Sequence, residues 1–233
     1  MSKNKEVEII PAIMPTSYKD LVSHTDRVSG LVTWVQVDVM DGKYTNSISW
    51  PYTKGSKHFE EIINGEEGLP NWEDFDFSID LMVRDSYAEV PKWIAAGASR
   101  IILHWGSLKG GDIKGLIETI KEVGVEVSLA KVPHEDIFEI EEFVSLVDSI
   151  QFMGIDQIGF QGEPFVESVI DDIADFHKKH PEVLISIDGG VNSETAKKFI
   201  KAGARRLVSG SFIFANQNGV KESIAELTEV SRV

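Results

Sequence analysis

Trp34–Gly42 reads WVQVDVMDG, an apolar and partly β-branched run that breaks at Asp41-Gly42. Such a run is typical of a strand buried on both faces, and Asp-Gly is turn chemistry. Gln36 and Asp38 are two residues apart, so on a strand their side chains point to the same side, and a buried acid needs a polar partner. The stretch therefore predicts a buried parallel strand that carries an amide and a carboxylate to a polar site.

Two later stretches have the same form. FSIDLMV at 77–83 and LISIDGG at 184–190 are short apolar runs that contain Asp80 and Asp188. If the three strands lie parallel in one sheet, then Asp38, Asp80 and Asp188 gather at the same carboxyl edge. For a single acid, a turn or a helix cap is the ordinary interpretation. Three repetitions favour a shared pocket.

Length and composition narrow the class of protein. The 233 residues are 42% hydrophobic, which is enough for one large core, and we predict a single domain over residues 1–233. No run approaches the roughly 18 apolar residues of a membrane helix, and we see no secretory signal, so we expect a cytoplasmic protein with no membrane partner. The absence of cysteine excludes disulfides and thiolate sites, and the net charge of -15 disfavours nucleic acid as a partner.

Strand-like and helix-like segments alternate along the chain. The predicted strands are 7–13, 34–39, 77–83, 100–104, 125–130, 148–153, 183–187 and 206–209. The predicted helices are 18–28, 58–64, 87–96, 113–123, 137–146, 166–179, 193–202 and 220–230. Eight alternations at this length predict an α/β fold, a (β/α)8 TIM barrel with its active site at the strand carboxyl ends. The long non-periodic segment 41–76 is a candidate lid.

Five ordered motifs resemble those of the ribulose-phosphate 3-epimerase family. They are VDVMDG at 37–42, DLMV at 80–83, GFQG at 159–162 followed by Pro164-Phe165, IDGGV at 187–191 and VSGSFIF at 208–214. IPAIM at 10–14 is similar to the family's first strand, so the resemblance covers nearly the whole chain. It implies a barrel of the ribulose-phosphate-binding type that acts on a small sugar phosphate. We also expect a homo-oligomer.

The resemblance implies roles for specific residues. Asp38 and Asp188 match the acid and base that remove and return a proton at C3 of a ketopentose phosphate through an enediolate. The family also implies a divalent metal held by these two aspartates and two histidines. Here Gln36 and Asp80 stand in place of the histidines, and Ala12 replaces a serine. A site of Gln36, Asp38, Asp80 and Asp188 offers only oxygen donors, which favours Mg²⁺ or Mn²⁺ over Zn²⁺ if a metal binds.

Asp80 makes the pocket more acidic than the family pattern. Three close carboxylates need a cation or raised pKa values, and a hard metal, a cationic substrate group or a protonated carboxyl would each meet that need. Alternatively, Asp80 turns to solvent or pairs with Arg84 or Lys131. His104 ends a strand near the pocket and is a secondary candidate. The remaining histidines, His24, His58, His134, His177 and His180, show no metal-ligand spacing.

The substrate is expected at the ends of the last strands. The segments 188–193 and 209–211 follow these strands, where backbone N–H groups of glycine-rich turns bind phosphate in barrels. The predicted substrate-binding residues are Met40, Met82, Met153, Gly159, Gly162, Gly189, Gly190, Gly210 and Ser211. For the methionines, core filling is the other interpretation.

Three functions fit these patterns. The first is a sugar-phosphate epimerase acting by 1,1-proton transfer. The second is a related decarboxylase or aldolase, which is disfavoured because Asp112-Ile113-Lys114, the nearest match to Asp-x-Lys-x-x-Asp, lacks the last acid and begins a helix. The third is a barrel that binds a phosphorylated ligand without epimerising it. The loss of both histidines and of the serine at Ala12 favours this last function, and the retention of Asp38 and Asp188 disfavours it.

Overall fold

Eight parallel strands close into a barrel in the computed structural model, which describes residues 6–54, 56–160 and 162–232. Each strand pairs with the next in the chain, and β1 pairs with β8 to close the ring. The strands are β1 Glu8–Ile13, β2 Trp34–Met40, β3 Asp76–Met82, β4 Arg100–His104, β5 Glu126–Lys131, β6 Ser149–Met153, β7 Leu184–Asp188 and β8 Arg206–Ser209. The predicted (β/α)8 barrel is confirmed.

Helices surround this ring. They are α1 Tyr18–Val28, α2 Lys57–Ile63, α3 Ser86–Ala95, α4 Trp105–Leu108, α5 Ile113–Glu122, α6 Val169–Lys179, α7 Ser193–Ala202, α8 Ser211–Phe214 and α9 Val220–Ser231. The helix predicted at 137–146 is a 3-10 helix over Ile137–Phe143, and α6 begins three residues later than predicted. The single-turn helices α4 and α8 are too short to show a hydrophobic period in the sequence. None of the helices among the described residues is long and apolar enough to cross a membrane.

The apolar core lies between the strands and the helices, whereas the barrel interior is polar. Val35, Val37 and Val39 of β2 face outward and are fully buried. Buried polar side chains occupy many inward positions: Gln36, Ser78, Ser128, Ser149, Gln151 and Ser186. The strand predicted from Trp34–Gly42, buried on both faces and carrying an amide and a carboxylate, is confirmed as β2. Alternation of side chains along the strands separates an apolar outer face from an inner face that is largely polar, with Ile10, Ile102 and Val208 as apolar inward residues.

The long segment 41–76 begins at the strand ends, where the Tyr44 and His104 ring centroids are 5.8 Å apart, and its middle packs into the helix layer. Trp50 is 1% exposed, and its ring meets those of Phe59 and Trp93 edge-on at centroid distances of 5.5 and 6.0 Å. The Trp50 backbone N–H donates to the Pro15 carbonyl at 2.8 Å. No described residue of the segment lines the cavity at the barrel mouth. That this segment acts as a lid stays a prediction, because burial of Trp50 draws its middle outward to the helices while Thr45 packs against Gly159 of the cavity wall.

Candidate active site

Three carboxylates meet at the carboxyl ends of β2, β3 and β7. Asp38 and Asp80 are direct register partners on neighbouring strands, and Asp188 is the last residue of β7. One oxygen from each acid lies within 4.8 Å of the others. Parallel pairing brings together the three acids that the strand endings single out in the sequence. Asp41, by contrast, has the ordinary role of a turn residue, because it accepts the backbone N–H groups of Lys43 and Tyr44.

The Gln36 amide lies in the middle of these acids. Its Nε2 donates to Asp38 Oδ1 at 2.9 Å and to Asp188 Oδ2 at 2.7 Å. Asp80 Oδ2 lies farther away, at 3.4 Å, since an amide nitrogen has only two protons to donate. The Gln36 side chain is fully buried, and its Oε1 has no hydrogen-bond partner among the described residues. One amide nitrogen therefore joins the two acids that resemble the family's acid/base pair.

Asp80 is paired with His104. The His104 Nε2 lies 2.6 Å from Asp80 Oδ1, and both side chains are buried. Gln151 Nε2 donates to the other oxygen, Asp80 Oδ2, at 3.1 Å. Gln151 was not among the residues predicted from sequence, although it is two residues before Met153 and hence on the same face of β6.

The alternatives for Asp80 that the sequence offered, solvent or a pair with Arg84 or Lys131, are wrong. Lys131 points away from the barrel interior and pairs with Asp172 of α6 at 3.3 Å. The Arg84 backbone N–H donates to the turn residue Asp41 at 3.1 Å. The secondary candidate His104 takes the place of these partners, because β3 and β4 are neighbours in the ring.

Burial and mutual repulsion change the acidity of these groups. The pKa of Asp38 is raised well above its usual range by burial and then by the charges of Asp188 and Asp80, against a smaller lowering by the Gln36 hydrogen bond. Burial and the charge of Asp80 likewise raise the pKa of Asp188 to about 7. For His104, burial lowers the pKa, but the charge and hydrogen bond of Asp80 outweigh it and the net shift is upward. Two neighbouring carboxyls whose pKa values are raised thus lie at the floor of the barrel mouth.

A cavity of about 460 Å³ opens above Asp38 and Asp188. Eight of the predicted substrate-binding residues line it: Met82, Met153, Gly159, Gly162, Gly189, Gly190, Gly210 and Ser211. Met40 does not, because it is fully buried under Gly159, where an added Cβ would lie 3.1 Å from the Met40 sulfur. Gln161 of the GFQG motif is outside the described residues. The sequence missed the apolar wall supplied by Ile155, Phe160 and Phe165 after β6.

The far end of the cavity is built from backbone. Gly189 and Gly190 have φ values of 99° and 69°, which favour glycine, and an added Cβ on Gly190 would lie 2.8 Å from the Phe165 ring. Asn192 caps the following helix by accepting the N–H groups of Glu194 and Thr195. No lysine, arginine or histidine is among the described residues that line the cavity. An anion here would be held by backbone N–H groups and hydroxyls.

Residues 8–214 match the profile of the Ribulose-phosphate 3 epimerase family. The chain belongs to this family. Among its relatives, the ribulose-phosphate 3-epimerase of Bacillus subtilis is 29% identical, over 95% of this chain and 98% of that protein. The chloroplastic ribulose-5-phosphate-3-epimerase of Arabidopsis thaliana is 28% identical, over 90% of this chain and 72% of that protein. The solved 3-keto-L-gulonate-6-phosphate decarboxylase of Vibrio cholerae covers 98% of both chains with a TM-score of 0.72 and 14% identity, a likeness of fold alone.

Ribulose-phosphate 3-epimerase family membership raises the question of a metal. Asp38, Asp80 and Asp188 are acidic groups of a kind that could hold one. In the observed arrangement, however, the Gln36 nitrogen stands between them, and an amide nitrogen has no lone pair for a metal. Both oxygens of Asp80 also accept hydrogen bonds already. The residues as arranged do not fit an ion. A cation would require the amide to turn and present Oε1, the buried oxygen that has no partner.

A second acidic group lies on the surface, away from the cavity. His58 Nδ1 is 2.9 Å from Glu67 Oε2 and 3.6 Å from Glu61 Oε2, and the His58 ring stacks on Tyr18. The inference that His58 has no metal-ligand spacing is therefore wrong in geometry, since the chain brings Glu67 back beside it. These side chains are partly exposed and bonded to one another, and we assign them no role.

Proposed function

We propose that this chain is a ketose-phosphate 3-epimerase-like enzyme in which Asp38 and Asp188 transfer the proton. The observation that carries the proposal is that these two carboxyls share one amide donor, at 2.9 and 2.7 Å, and both face the cavity. Their pKa values are raised, so that one can hold a proton while the other is ionised near neutral pH. General acid–base catalysis is most effective in this range.

The reaction follows from that pair. Ionised Asp188 takes the proton from C3 of the ketose, and the C–H electron pair moves into a C2–C3 double bond as the C2 carbonyl becomes the enediolate oxygen. Protonated Asp38 then gives its proton to the opposite face of C3, and the carbonyl re-forms. The two acids have exchanged protonation states, so turnover in the reverse direction uses the same groups with their roles exchanged.

The phosphate is proposed to lie at the backbone end of the cavity. Gly189, Gly190 and Gly210 let the backbone approach an anion closely, and Ser211 adds a hydroxyl. Met82 and Met153 would then form apolar walls beside the sugar carbons, and Gly159 and Gly162 would lie on the loop above it. The length of the sugar is left to experiment.

A divalent cation is a separate hypothesis. If the Gln36 amide turned, its Oε1 would join Asp38, Asp80 and Asp188 as a set of oxygen donors, which suits Mg²⁺ or Mn²⁺ better than Zn²⁺. Such an ion would supply positive charge next to an enediolate. Because the observed amide orientation does not fit an ion, no step above depends on one.

Proton NMR in D2O tests the proposal. Ribulose 5-phosphate incubated with the protein should lose its C3–H signal, and Asp188→Asn should abolish that loss. A six-carbon ketose phosphate run in parallel identifies the preferred chain length. Saturable binding of the sugar phosphates without any exchange would instead support the alternative of a barrel that binds a phosphorylated ligand without epimerising it.

The homo-oligomeric state, the cytoplasmic location and the absence of nucleic acid and membrane partners stay predictions. Light scattering coupled to size-exclusion chromatography checks the first of them.

A further inference from the structure

We infer that Gln36 is a positioning residue whose amide nitrogen holds Asp38 and Asp188 in place of a metal ion, so that catalysis needs no divalent cation. The inference rests on the proposed function and extends it. It concerns the residue at which this chain departs from the histidine that the family resemblance implies.

The first support is the geometry of the nitrogen. Gln36 Nε2 lies 2.9 Å from Asp38 Oδ1 and 2.7 Å from Asp188 Oδ2, which are hydrogen-bond distances. Both protons of the amide are thus directed at the two acid/base carboxyls and fix their separation. Gln36 and Asp38 point to the same side of β2, and Asp188 reaches the amide from β7. The nitrogen occupies the central position that an ion would need.

The second support is the burial of the amide. Gln36 is fully buried in the barrel interior, next to β1 through its register partner Ala12 and next to β3 through Ser78. A side chain enclosed in this way has few alternative rotamers, so its two hydrogen bonds cost little further entropy at the moment of reaction. The acid/base pair is held by packing as well as by bonding.

The third support is the neighbouring acid. Asp80 accepts from His104 Nε2 on one oxygen and from Gln151 Nε2 on the other, at 2.6 and 3.1 Å. Its hydrogen bonds are supplied by the barrel, so it does not need an ion. With Asp80 engaged, the Gln36 nitrogen can give both protons to Asp38 and Asp188. The three supports describe a site that is assembled by side chains alone.

The test replaces the Gln36 amide nitrogen, a hydrogen-bond donor, with a carboxylate oxygen, an acceptor, in a side chain of nearly the same shape. Wild type, freed of metal by a chelator and checked by mass spectrometry, should exchange the C3 proton of ribulose 5-phosphate at an unchanged rate when Mn²⁺ is added. Gln36→Glu places an oxygen where the nitrogen stood, so this variant should lose exchange without metal and regain it with Mn²⁺. Mn²⁺ should also raise the Tm of Gln36→Glu and leave that of wild type unchanged, a readout that does not depend on activity.

Two further variants serve as controls. Gln36→Met keeps the volume but can neither donate nor ligate, so it should lose about 10²-fold in rate with and without Mn²⁺, the cost expected of misplaced catalytic groups. Gln151→Glu adds a carboxyl beside Asp80 without entering the space between Asp38 and Asp188. If Mn²⁺ raised its Tm as much as that of Gln36→Glu, added charge alone would explain the response and the role of Gln36 would be refuted.

Two results distinguish a failure of the Gln36 inference from a failure of the proposed epimerase function. Wild-type exchange that disappears on chelation and returns with Mn²⁺ would overturn the inference while leaving the epimerase proposal intact. Absence of exchange in wild type under every metal condition, for both the five- and six-carbon ketose phosphates, would remove the proposed function and the inference together.

Discussion

The two ends of the barrel interior differ in their balance of charge: the lower end is formed by the first residues of the strands, and the upper end by residues near the carboxyl ends of the strands. At the lower end, Arg100 and Arg206 meet Glu8 and Glu126, so two cations face two anions. At the upper end, Asp38, Asp80 and Asp188 lie together, and among the described residues His104 is the basic side chain paired with them. The lower end is balanced, and both arginines are buried within it. The upper end carries an excess of acid, and burial, together with the charges of the neighbouring aspartates, raises the pKa values of Asp38 and Asp188. The ion pairs of the lower end have a structural role, whereas the acids of the upper end are the groups that we propose to transfer the proton.

The largest expected effect is a loss of epimerisation rate when Asp38 or Asp188 is replaced. Asp188→Asn and Asp38→Asn each take one proton carrier out of the pair, so we expect each to lower the rate of C3 epimerisation by about 10²–10⁴-fold, the usual contribution of a general acid or base. A coupled assay of the epimerised sugar measures the rate. Retention of more than a tenth of the wild-type rate in either variant would show that the pair is not the acid/base machinery.

Removing His104, the imidazole paired with Asp80 at the upper end, is expected to affect folding more than chemistry. His104→Leu would leave Asp80 buried without its ion-pair partner, and we expect a loss of about 3–5 kcal/mol in the free energy of unfolding. Urea denaturation measures it. His104→Gln is the matched control, because its amide can still donate to Asp80 and it should lose clearly less stability. Equal losses in the two variants would indicate that packing of the imidazole matters and that the bond to Asp80 does not.

Removing a basic side chain at the lower end should reduce the free energy of unfolding by less and should not change catalysis. Arg206 donates to Glu8 at 2.7 Å and to Glu126 at 3.1 Å, but both acids are about 40% exposed and regain water when the arginine is lost. We expect Arg206→Met to reduce stability by about 1–3 kcal/mol, the range for hydrogen bonds to charged groups, with turnover per folded molecule unchanged. A turnover loss as large as that of Asp188→Asn would mean that the two ends are coupled.

The smallest expected effect is a gain of stability that depends on pH. The folded-state pKa of Asp188 is raised to about 7, so the folded protein binds a proton that the unfolded chain releases near pH 4. This contribution is present below the unfolded pKa and is lost as pH rises through the folded pKa. Asp188→Asn should therefore be more stable than wild type by about 1–2 kcal/mol above pH 7, and the difference should shrink toward about pH 4. The gain is modest because Asp188 partly faces the cavity.

Unfolding free energies of the two proteins across this pH range check the prediction. A difference that does not change with pH, or one that grows as the pH falls, would contradict a raised pKa for Asp188.

The sequence predicts the barrel well, because the strands contain short apolar runs and the longer helices have a clear hydrophobic period. It also singles out Asp38, Asp80 and Asp188, since strand ends meet at one edge of a parallel barrel. It does not predict which side chains hydrogen-bond to these acids. The bond between His104 and Asp80 depends on side-chain rotamers, and so does the position of the Gln36 nitrogen.

The segment 41–76 shows a second limit. Its length and lack of period indicate a loop near the site, but burial of Trp50 against Phe59 and Trp93 decides its position. No local pattern encodes such a contact between distant aromatic residues. The wall above the cavity belongs instead to the loop after β6, which includes Phe160 and Phe165.

The most direct test of the charge imbalance is a titration of the aspartate carboxyl carbons by ¹³C NMR, with Asp188→Asn used for assignment. The account predicts one resonance with a midpoint near 7 that is absent from Asp188→Asn, and a second with a midpoint well above the ordinary value of an aspartate, assigned to Asp38. Midpoints below about 5 for every aspartate, close to the unperturbed range, would contradict it.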